Sequence, residues 1–367
     1  MALKTGIIGL PNVGKSTLMN ALARTEAEAS NYPFCTIESN MGTVTVPDKR
    51  LETLAKLLEP EEIIPSTVYF VDIAGLVRGA SRGEGLGNKF LHYIREVDLL
   101  VHVLRVFSDP AVSHVHGCVD PLDDLEAVET ELFLADIERV KSRIEKERNR
   151  AKAVRKEDRK DLEFLEKVSG MLSEKKKVDP VEYTEHRREI FAELNLLTSK
   201  PVIYVLNTDE ECGPETESVV TKLKSSGMEE SVFTISAKLE NELNQLSEQE
   251  RKEYLNELGI RSGALERFII KCHHKLGLIR YYTRSRGKLQ AWSIPEGTTA
   301  PVAAGKIHTD MEEGFIRARV IKYTDLLKYG SEEAVREHGL WKTEGHDYII
   351  NDGDIIEYLF SGYSGES

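Results

Sequence analysis

The sequence lacks most of the devices on which small secreted or membrane proteins rely. Its four cysteines, Cys35, Cys118, Cys212 and Cys272, lie far apart and form no CxxC pair. That spacing argues against a disulfide framework or a zinc site and for a reducing, cytoplasmic setting. Cys272-His273-His274 is the one local cluster, and consecutive residues of a helix diverge around its axis, so no metal is expected there. No stretch approaches the roughly 20 consecutive apolar residues of a membrane span, so no membrane partner is expected. MALKTGIIGLPNVGKS runs directly into a strand and a loop, and no signal peptide is expected. Positive charge is short as well. A formal net charge of −13 argues against nucleic-acid binding through bulk charge, so any contact with RNA needs a local basic patch.

What is present is the length and apolar content of an ordinary globular protein, 367 residues with 40% hydrophobic, enough for two or three domains. Residues 3–9, STVYFVDIAG (66–75), DLLVHVLRVF (98–107), PVIYVLN (201–207) and SVFTISAK (231–238) read as continuous apolar strands alternating with helical segments such as STLMNALAR. That rhythm predicts an α/β fold with a mostly parallel sheet covered on both faces. Residues 122–198 break it. Leu125, Val128, Leu132, Ala135, Ile137, Val140 and Ile144 step by threes and fours, and Leu162, Leu165, Val168 and Leu172 form a second stripe. The spacing predicts a long antiparallel helical pair inserted between two strands, with VDPVEY (178–183) as a connection. Its expected tip, 141–160, carries ten basic and four acidic residues, either a solvated face or a footprint for RNA. After about residue 276, short alternating runs punctuated by glycine and proline predict a small mixed β domain.

Residues 9–16, GLPNVGKS, match G-x-x-x-x-G-K-[ST] between a predicted strand and a predicted helix. Glycines let the loop turn its N–H groups toward phosphate oxygens, and the helix N-terminus adds positive potential. Asn12, Val13, Gly14, Lys15, Ser16 and Thr17 are therefore the expected phosphate-binding set. Lys15 is expected to reach the β- and γ-phosphates and Ser16 to bind Mg²⁺. In the Asp-x-x-Gly of DIAG, Asp72 is expected to hold the same ion through water, and the Gly75 N–H to sense the γ-phosphate. Thr36, in the loop NYPFCTIESN, is expected to cover the metal. The glycine-rich RGASRGEGLGN (78–88), with Arg78 and Arg82, reads as a mobile lid rather than a helix.

A GTPase of this type would carry Asn-Lys-x-Asp at the base, where a short carboxylate accepts from the N1–H and 2-amino group of guanine together. Residues 207–210 are Asn-Thr-Asp-Glu. Glu210 is one methylene longer, Thr208 replaces the lysine whose stem would cover the base, and guanine selectivity should weaken. Asn207 still contacts the purine edge, and Ser236 and Ala237 of SAK read as the other base-side loop. On these residues both ATP and GTP stay open. Where many GTPases place a glutamine after Asp-x-x-Gly to orient water, this chain has Leu76, so catalysis must come from elsewhere or be slow.

GLPNVGKST, NYPFCTIESN, DIAGLVRGASRGEGLGNKFL, NTDE and AWSIPEGTTAPVAAGKIHTDMEEGFIRA together resemble the YchF/Obg-like ATPase family, within the translation-factor-related class of P-loop GTPases. The resemblance covers essentially the whole chain. It departs at Ser39, where the family is expected to carry proline. It implies a split P-loop G domain (1–121 and 199–276), an inserted helical coiled-coil domain (122–198) and a C-terminal TGS domain of β-grasp type (277–367). It also implies preference for ATP, hydrolysis to ADP and phosphate, and association with the ribosome and ribosomal RNA. The family's water-activating histidine falls on His114 of SHVHG, with His116 two residues away. Imidazole suits the task because it changes charge near neutral pH. Asn12 is the candidate ligand for a monovalent cation such as K⁺. For an RNA-facing surface, Arg280, Arg284, Arg286 and Lys288 beside Tyr281 and Tyr282 offer charge with aromatics, and so does the basic helical tip.

Overall fold

The computed structural model describes residues 3–23, 41–73, 86–150, 156–179, 183–257 and 263–361. The chain divides into two compact units. One comprises residues 1–24, 37–42 and 69–265; the other comprises 25–36, 43–68 and 266–367.

One sheet comprises β1 (Lys4–Ile8), β4 (Thr67–Asp72), β5 (Leu99–Arg105), β6 (Val202–Asn207), β7 (Val232–Ile235) and β2 (Met41–Thr45) in the order β2-β4-β1-β5-β6-β7, most of it within the first unit. The pairs β1–β4, β1–β5, β5–β6 and β6–β7 are all parallel. The apolar runs expected to be strands are strands, and the central one is covered on both faces: every residue of β5 is buried, as befits a central parallel strand. The carboxyl ends of β1, β4, β5 and β6 therefore converge, the place where open α/β sheets bind ligands. Helices α1 (Lys15–Ala23) and α3 (Leu86–Arg95) follow β1 and β4. Because α3 begins at Leu86, the last three residues of the glycine-rich run 78–88 are helical. The remainder, Arg78 and Arg82 included, lies outside the described residues.

Between β5 and β6 stands the helical pair expected from the two apolar stripes, α4 (Pro121–Arg150) and α5 (Lys156–Ser173), followed by α6 (Glu185–Leu194). Phe133, Val140, Ile144, Phe164, Val168 and Leu172 share one core there. The 178–183 segment leads from α5 to α6 rather than joining the two long helices. Asp136, fully buried on α4, accepts from Leu197 N (2.9 Å), Thr198 N (2.8 Å) and Thr198 Oγ1 (2.9 Å), which ties the pair to the chain just before β6. Helices α7 (Pro214–Leu223), α8 (Ala237–Leu243) and α9 (Glu248–Glu257) complete this unit, and α10 (Ala264–Lys275) leads out of it.

The second unit contains β3 (Glu62–Ile64), β8 (Leu278–Ser285), β9 (Lys288–Pro295), β10 (Phe315–Lys322), β11 (Lys342–Glu344) and β12 (Asp354–Phe360) in the order β11-β10-β12-β8-β9-β3. The sheet is mixed: β8 pairs antiparallel with β9 and parallel with β12. Short helices α11 (Ala300–Gly305), α12 (Thr309–Glu313), α13 (Tyr323–Tyr329) and α14 (Glu332–Glu337) lie between its strands. Helix α2 (Lys49–Leu58), capped by Asp48 accepting from Arg50 N, belongs to this unit too and packs Leu51 and Leu54 with Tyr282 and Leu289. Among the described residues no helix is long and apolar enough to cross a membrane.

Candidate nucleotide site

The loop from Gly9 to Gly14 leaves β1 and enters α1 with two glycines that geometry requires. Gly14 has φ +97°, and a Cβ there would lie 2.1 Å from Asn207 Nδ2; Gly9 has φ +148°, and a Cβ would lie 2.5 Å from the Val103 carbonyl oxygen. Only glycine lets the backbone pass this close to its neighbours. Lys15, buried at the start of α1, donates to Gly9 O (3.2 Å) and Leu10 O (2.8 Å). Burial lowers its pKa, and the nearby Asp72 charge opposes that shift. Burial likewise raises Asp72, with Lys15 opposing, and among the described residues Asp72 Oδ1 is buried without a hydrogen-bond partner. A desolvated ammonium, an unpartnered carboxylate oxygen and the exposed Ser16 hydroxyl on one side of the sheet's carboxyl edge make a donor set of the kind a phosphate with a hard, oxygen-seeking cation requires. Val13 is buried and Thr17 half-buried beside them. Thr36, Gly75 and Leu76 lie outside the described residues.

The β6 end carries the second part. Asn207 is buried; its Nδ2 donates to Val13 O (2.9 Å) and its Oδ1 accepts from Ala237 N (3.0 Å). It therefore joins the phosphate loop to the β7–α8 turn, where Ser236 caps α8 by accepting from Leu239 N. Thr208 is buried and donates through its backbone to Ile235 O. Glu210 is exposed. Asp209, which carried no expectation, accepts from Ser108 N at 3.1 Å.

His114 lies in the segment between β5 and α4. Its side chain is 3% exposed, Nε2 lies 2.9 Å from Asp124 Oδ2, and Nδ1 accepts from the His116 N–H at 3.2 Å. Both ring nitrogens are thus engaged. His116 is more open, with Nδ1 3.4 Å from Asp124 Oδ1. Asn12, left-handed at φ +64°, donates to Ser113 O at 3.2 Å, which fastens the residue before His114 to the phosphate loop. Sequence reasoning missed Asp124, Phe107 and Arg105. For Arg105 a signal existed: it is the lone cation ending an otherwise apolar strand, LLVHVLR.

One expectation is overturned. Tyr281 and Tyr282 are both fully buried and cannot stack on bases, because β8 is covered on both faces, Tyr281 entering one core and Tyr282 the other. Arg280 is also buried, donating to Pro47 O and pairing with Asp48.

A family model described as "50S ribosome-binding GTPase" matches residues 4–160, and the YchF-GTPase C-terminal model, described as a protein of unknown function (DUF933), matches 278–361. A curated "Ribosome-binding ATPase YchF" of Bacillus subtilis is 44% identical over 98% of this chain and 100% of its own length. The chain belongs to the YchF family. The protein of the same name in Escherichia coli O157:H7 is 42% identical over 98% of this chain and 100% of its own length. The solved Schizosaccharomyces pombe YchF GTPase superposes with a TM-score of 0.87 at 34% identity, covering 97% of both chains. A YchF chain thus carries the P-loop nucleotide-hydrolase fold.

Proposed function

We propose that this chain is a cytoplasmic, ribosome-associated ATPase that hydrolyses ATP to ADP and phosphate with a slow intrinsic rate. The observation that carries the reading is the Asn207 bridge between Val13 and Ala237. It supports a reading in which the loop before α1 and the β7–α8 turn serve one site, whose NTDE signature lacks both guanine-reading features. The names of the curated relatives support ATP and the ribosome. The reading divides the chain into a split nucleotide domain (1–121 and 199–276), an inserted helical domain (122–198) and a C-terminal TGS-type domain (277–367), although residues 43–68 and 266–276 group with the second unit.

Ser16, Asp72 and Thr36 would hold Mg²⁺, Asp72 through water, and the ion supplies positive charge to the phosphates when bound. Lys15 would turn from Gly9 O and Leu10 O to the phosphates, with the N–H groups from Asn12 to Thr17 around them. Asn12 uses Nδ2 for Ser113, and its Oδ1 is the atom offered to K⁺. Thr208, Glu210, Ser236 and Ala237 would face the base, with Asn207 bracing the loop and the turn beside it. His114 is the residue assigned to water; to reach it the ring must leave Asp124.

For ribosomal RNA, the favoured surface is a cleft of about 500 Å³ in the second unit, lined by Arg284, Arg286, Lys288, Trp292, His308 and Phe360. Cations beside aromatic faces suit phosphate contact with base stacking.

A second reading, a nucleotide-sensing ribosome-binding module that prefers GTP or does not discriminate and scarcely hydrolyses, is favoured by the engaged state of both His114 nitrogens and by Leu76 at the usual glutamine position. Calorimetric titration of nucleotide-free protein with ATP and with GTP in Mg²⁺ and K⁺, followed by turnover with and without ribosomes, separates the two. ATP binding about tenfold tighter or more, with ribosome-stimulated hydrolysis, is expected. Equal or tighter GTP binding with no stimulated turnover would leave the second reading.

A further inference from the structure

We infer that Arg105 is a positioning residue for hydrolysis, holding the loop that carries His114 against the phosphate loop from inside the fold. The inference rests on the assignment of His114 to the attacking water.

Arg105 ends the central strand β5 and is 2% exposed. A cation so deeply buried is ordinarily paired with a carboxylate, because an unpaired charge loses its hydration without compensation. Among the described residues no carboxylate pairs with it. Its guanidinium instead donates to three carbonyls of the loop that follows: Phe107 O (3.3 Å), Asp109 O (3.1 Å) and Ser113 O (3.4 Å). Its Cζ lies 4.4 Å from the centroid of the Phe107 ring. A planar fork with five N–H donors can serve three separate acceptors; an ammonium on a flexible stem cannot reproduce that geometry. The loop from 107 to 113 therefore takes its course around the charge it encloses.

The position of the third carbonyl links this cage to chemistry. Ser113 O also accepts from Asn12 Nδ2 of the phosphate loop, and the next residue is His114. One oxygen fastens the base of the histidine both to the strand end and to the phosphate loop. The beginning of the same loop has its own anchors. Val106 N and Phe107 N donate to Asn207 O (2.9 and 3.1 Å), and Ser108 N donates to Asp209. Losing the guanidinium therefore releases chiefly the 109–114 end, where the histidine sits, and leaves the purine side of the site in place. A ring freed from Asp124 then starts from an undefined position relative to the γ-phosphate, and misplacement of this order slows a reaction without weakening ground-state binding.

The test compares wild type with R105K, R105Q, H114A and R105K/H114A, each checked for folding by thermal melting. It reads the ATPase turnover number and, separately, the calorimetric ATP dissociation constant. R105K is expected to lower turnover about tenfold or more while ATP affinity changes less than about threefold, and the double variant to be no slower than H114A. R105Q serves if R105K fails to fold. Slow H114A beside a normal R105K would overturn the role of Arg105 alone. So would multiplicative slowing in the double variant, or an affinity collapse with turnover intact. Undiminished turnover in H114A would overturn the histidine assignment and leave Arg105 nothing to position.

Discussion

His114 Nε2 rests 2.9 Å from Asp124 Oδ2 with both side chains almost fully buried, and the other ring nitrogen accepts from the His116 N–H. In this pose the imidazole has no nitrogen to offer water. Asp124 is buried at the first turn of α4 and holds the ring through a single hydrogen bond. Replacing it with alanine removes that hold while the Ser113–Asn12 tether stays. D124A is expected to raise ribosome-free ATP turnover several-fold, with some loss of thermal stability from the vacated site. Turnover lower than wild type in a folded D124A would mean that the carboxylate orients a working histidine instead of restraining it.

Asn207 makes a different kind of prediction, because its amide satisfies two buried backbone groups at once, Val13 O and Ala237 N. Removing the side chain leaves both unpaired, at about 1–3 kcal/mol each. N207A is expected to weaken ATP and GTP alike by tenfold or more and to lower the melting temperature. G14A should act on the same contact, since its methyl would lie 2.1 Å from Asn207 Nδ2. Loss of binding to one purine only, in calorimetry, would show that Asn207 reads the base and does not brace the site.

How much of this was legible follows from what each residue pattern can encode. The central parallel strands were readable because burial on both faces demands a predominantly apolar run, as in β5 and β6. MGTVT (β2) was not, since it is short and alternates between buried and half-buried positions. The tight loop from Gly9 to Gly14 between β1 and α1 was readable because its glycine spacing is local in sequence. The cage around Arg105 and the His114–Asp124 pair were not, since both depend on where a loop folds back across 8 to 10 residues. Tyr281 and Tyr282 misled because consecutive strand residues point to opposite faces, and only the tertiary fold reveals that both faces of β8 are covered.

Nucleotide choice can be tested at two residues whose surroundings differ. Glu210 is exposed and Thr208 is buried. Restoring the shorter carboxylate and the lysine stem with E210D/T208K should re-create the two acceptors that guanine needs. The double variant is expected to move the ratio of GTP to ATP dissociation constants about tenfold or more toward GTP, most of it lost in either single variant. An unchanged ratio would place selectivity elsewhere in the pocket.

His102 sets a pH dependence of stability. It is 2% exposed within β5, and burial, then the Lys15 charge, pushes its pKa from 6.5 down to about 3. Between these values the unfolded chain binds a proton that the folded chain refuses. Stability therefore rises with pH across this window, is fully present above about 6.5, and falls below it by about 1.4 kcal/mol per unit. H102L removes the titrating group. Thermal midpoints measured between about pH 7.5 and about pH 5 should fall less steeply in H102L than in wild type, by a difference near one proton. Parallel slopes in the two proteins would mean that His102 is already protonated in the fold.

The C-terminal cleft gives the last prediction. Arg284 pairs with Glu332 at 3.0 Å and Lys288 with Glu62 at 2.6 Å, both on the surface, while Arg286 is exposed at the β8–β9 turn with φ +49°. Surface pairs of this kind contribute little to stability. R284E/R286E/K288E is thus expected to leave the melting temperature within a few degrees of wild type. If these cations meet phosphates, the triple variant should bind ribosomes at least about tenfold more weakly at low salt, and the dependence of binding on salt should flatten as fewer counterions are released. The aromatic half of the cleft is separable. Trp292, half-buried with its Nε1 donating to Thr283 Oγ1 at 2.8 Å, keeps a face on the cleft. W292A should weaken binding while leaving the salt slope unchanged, because stacking releases no counterions. Unaltered co-sedimentation of both variants would move the RNA contact to the basic end of the helical pair, where reversing Lys141, Arg143 and Lys146 is the corresponding test.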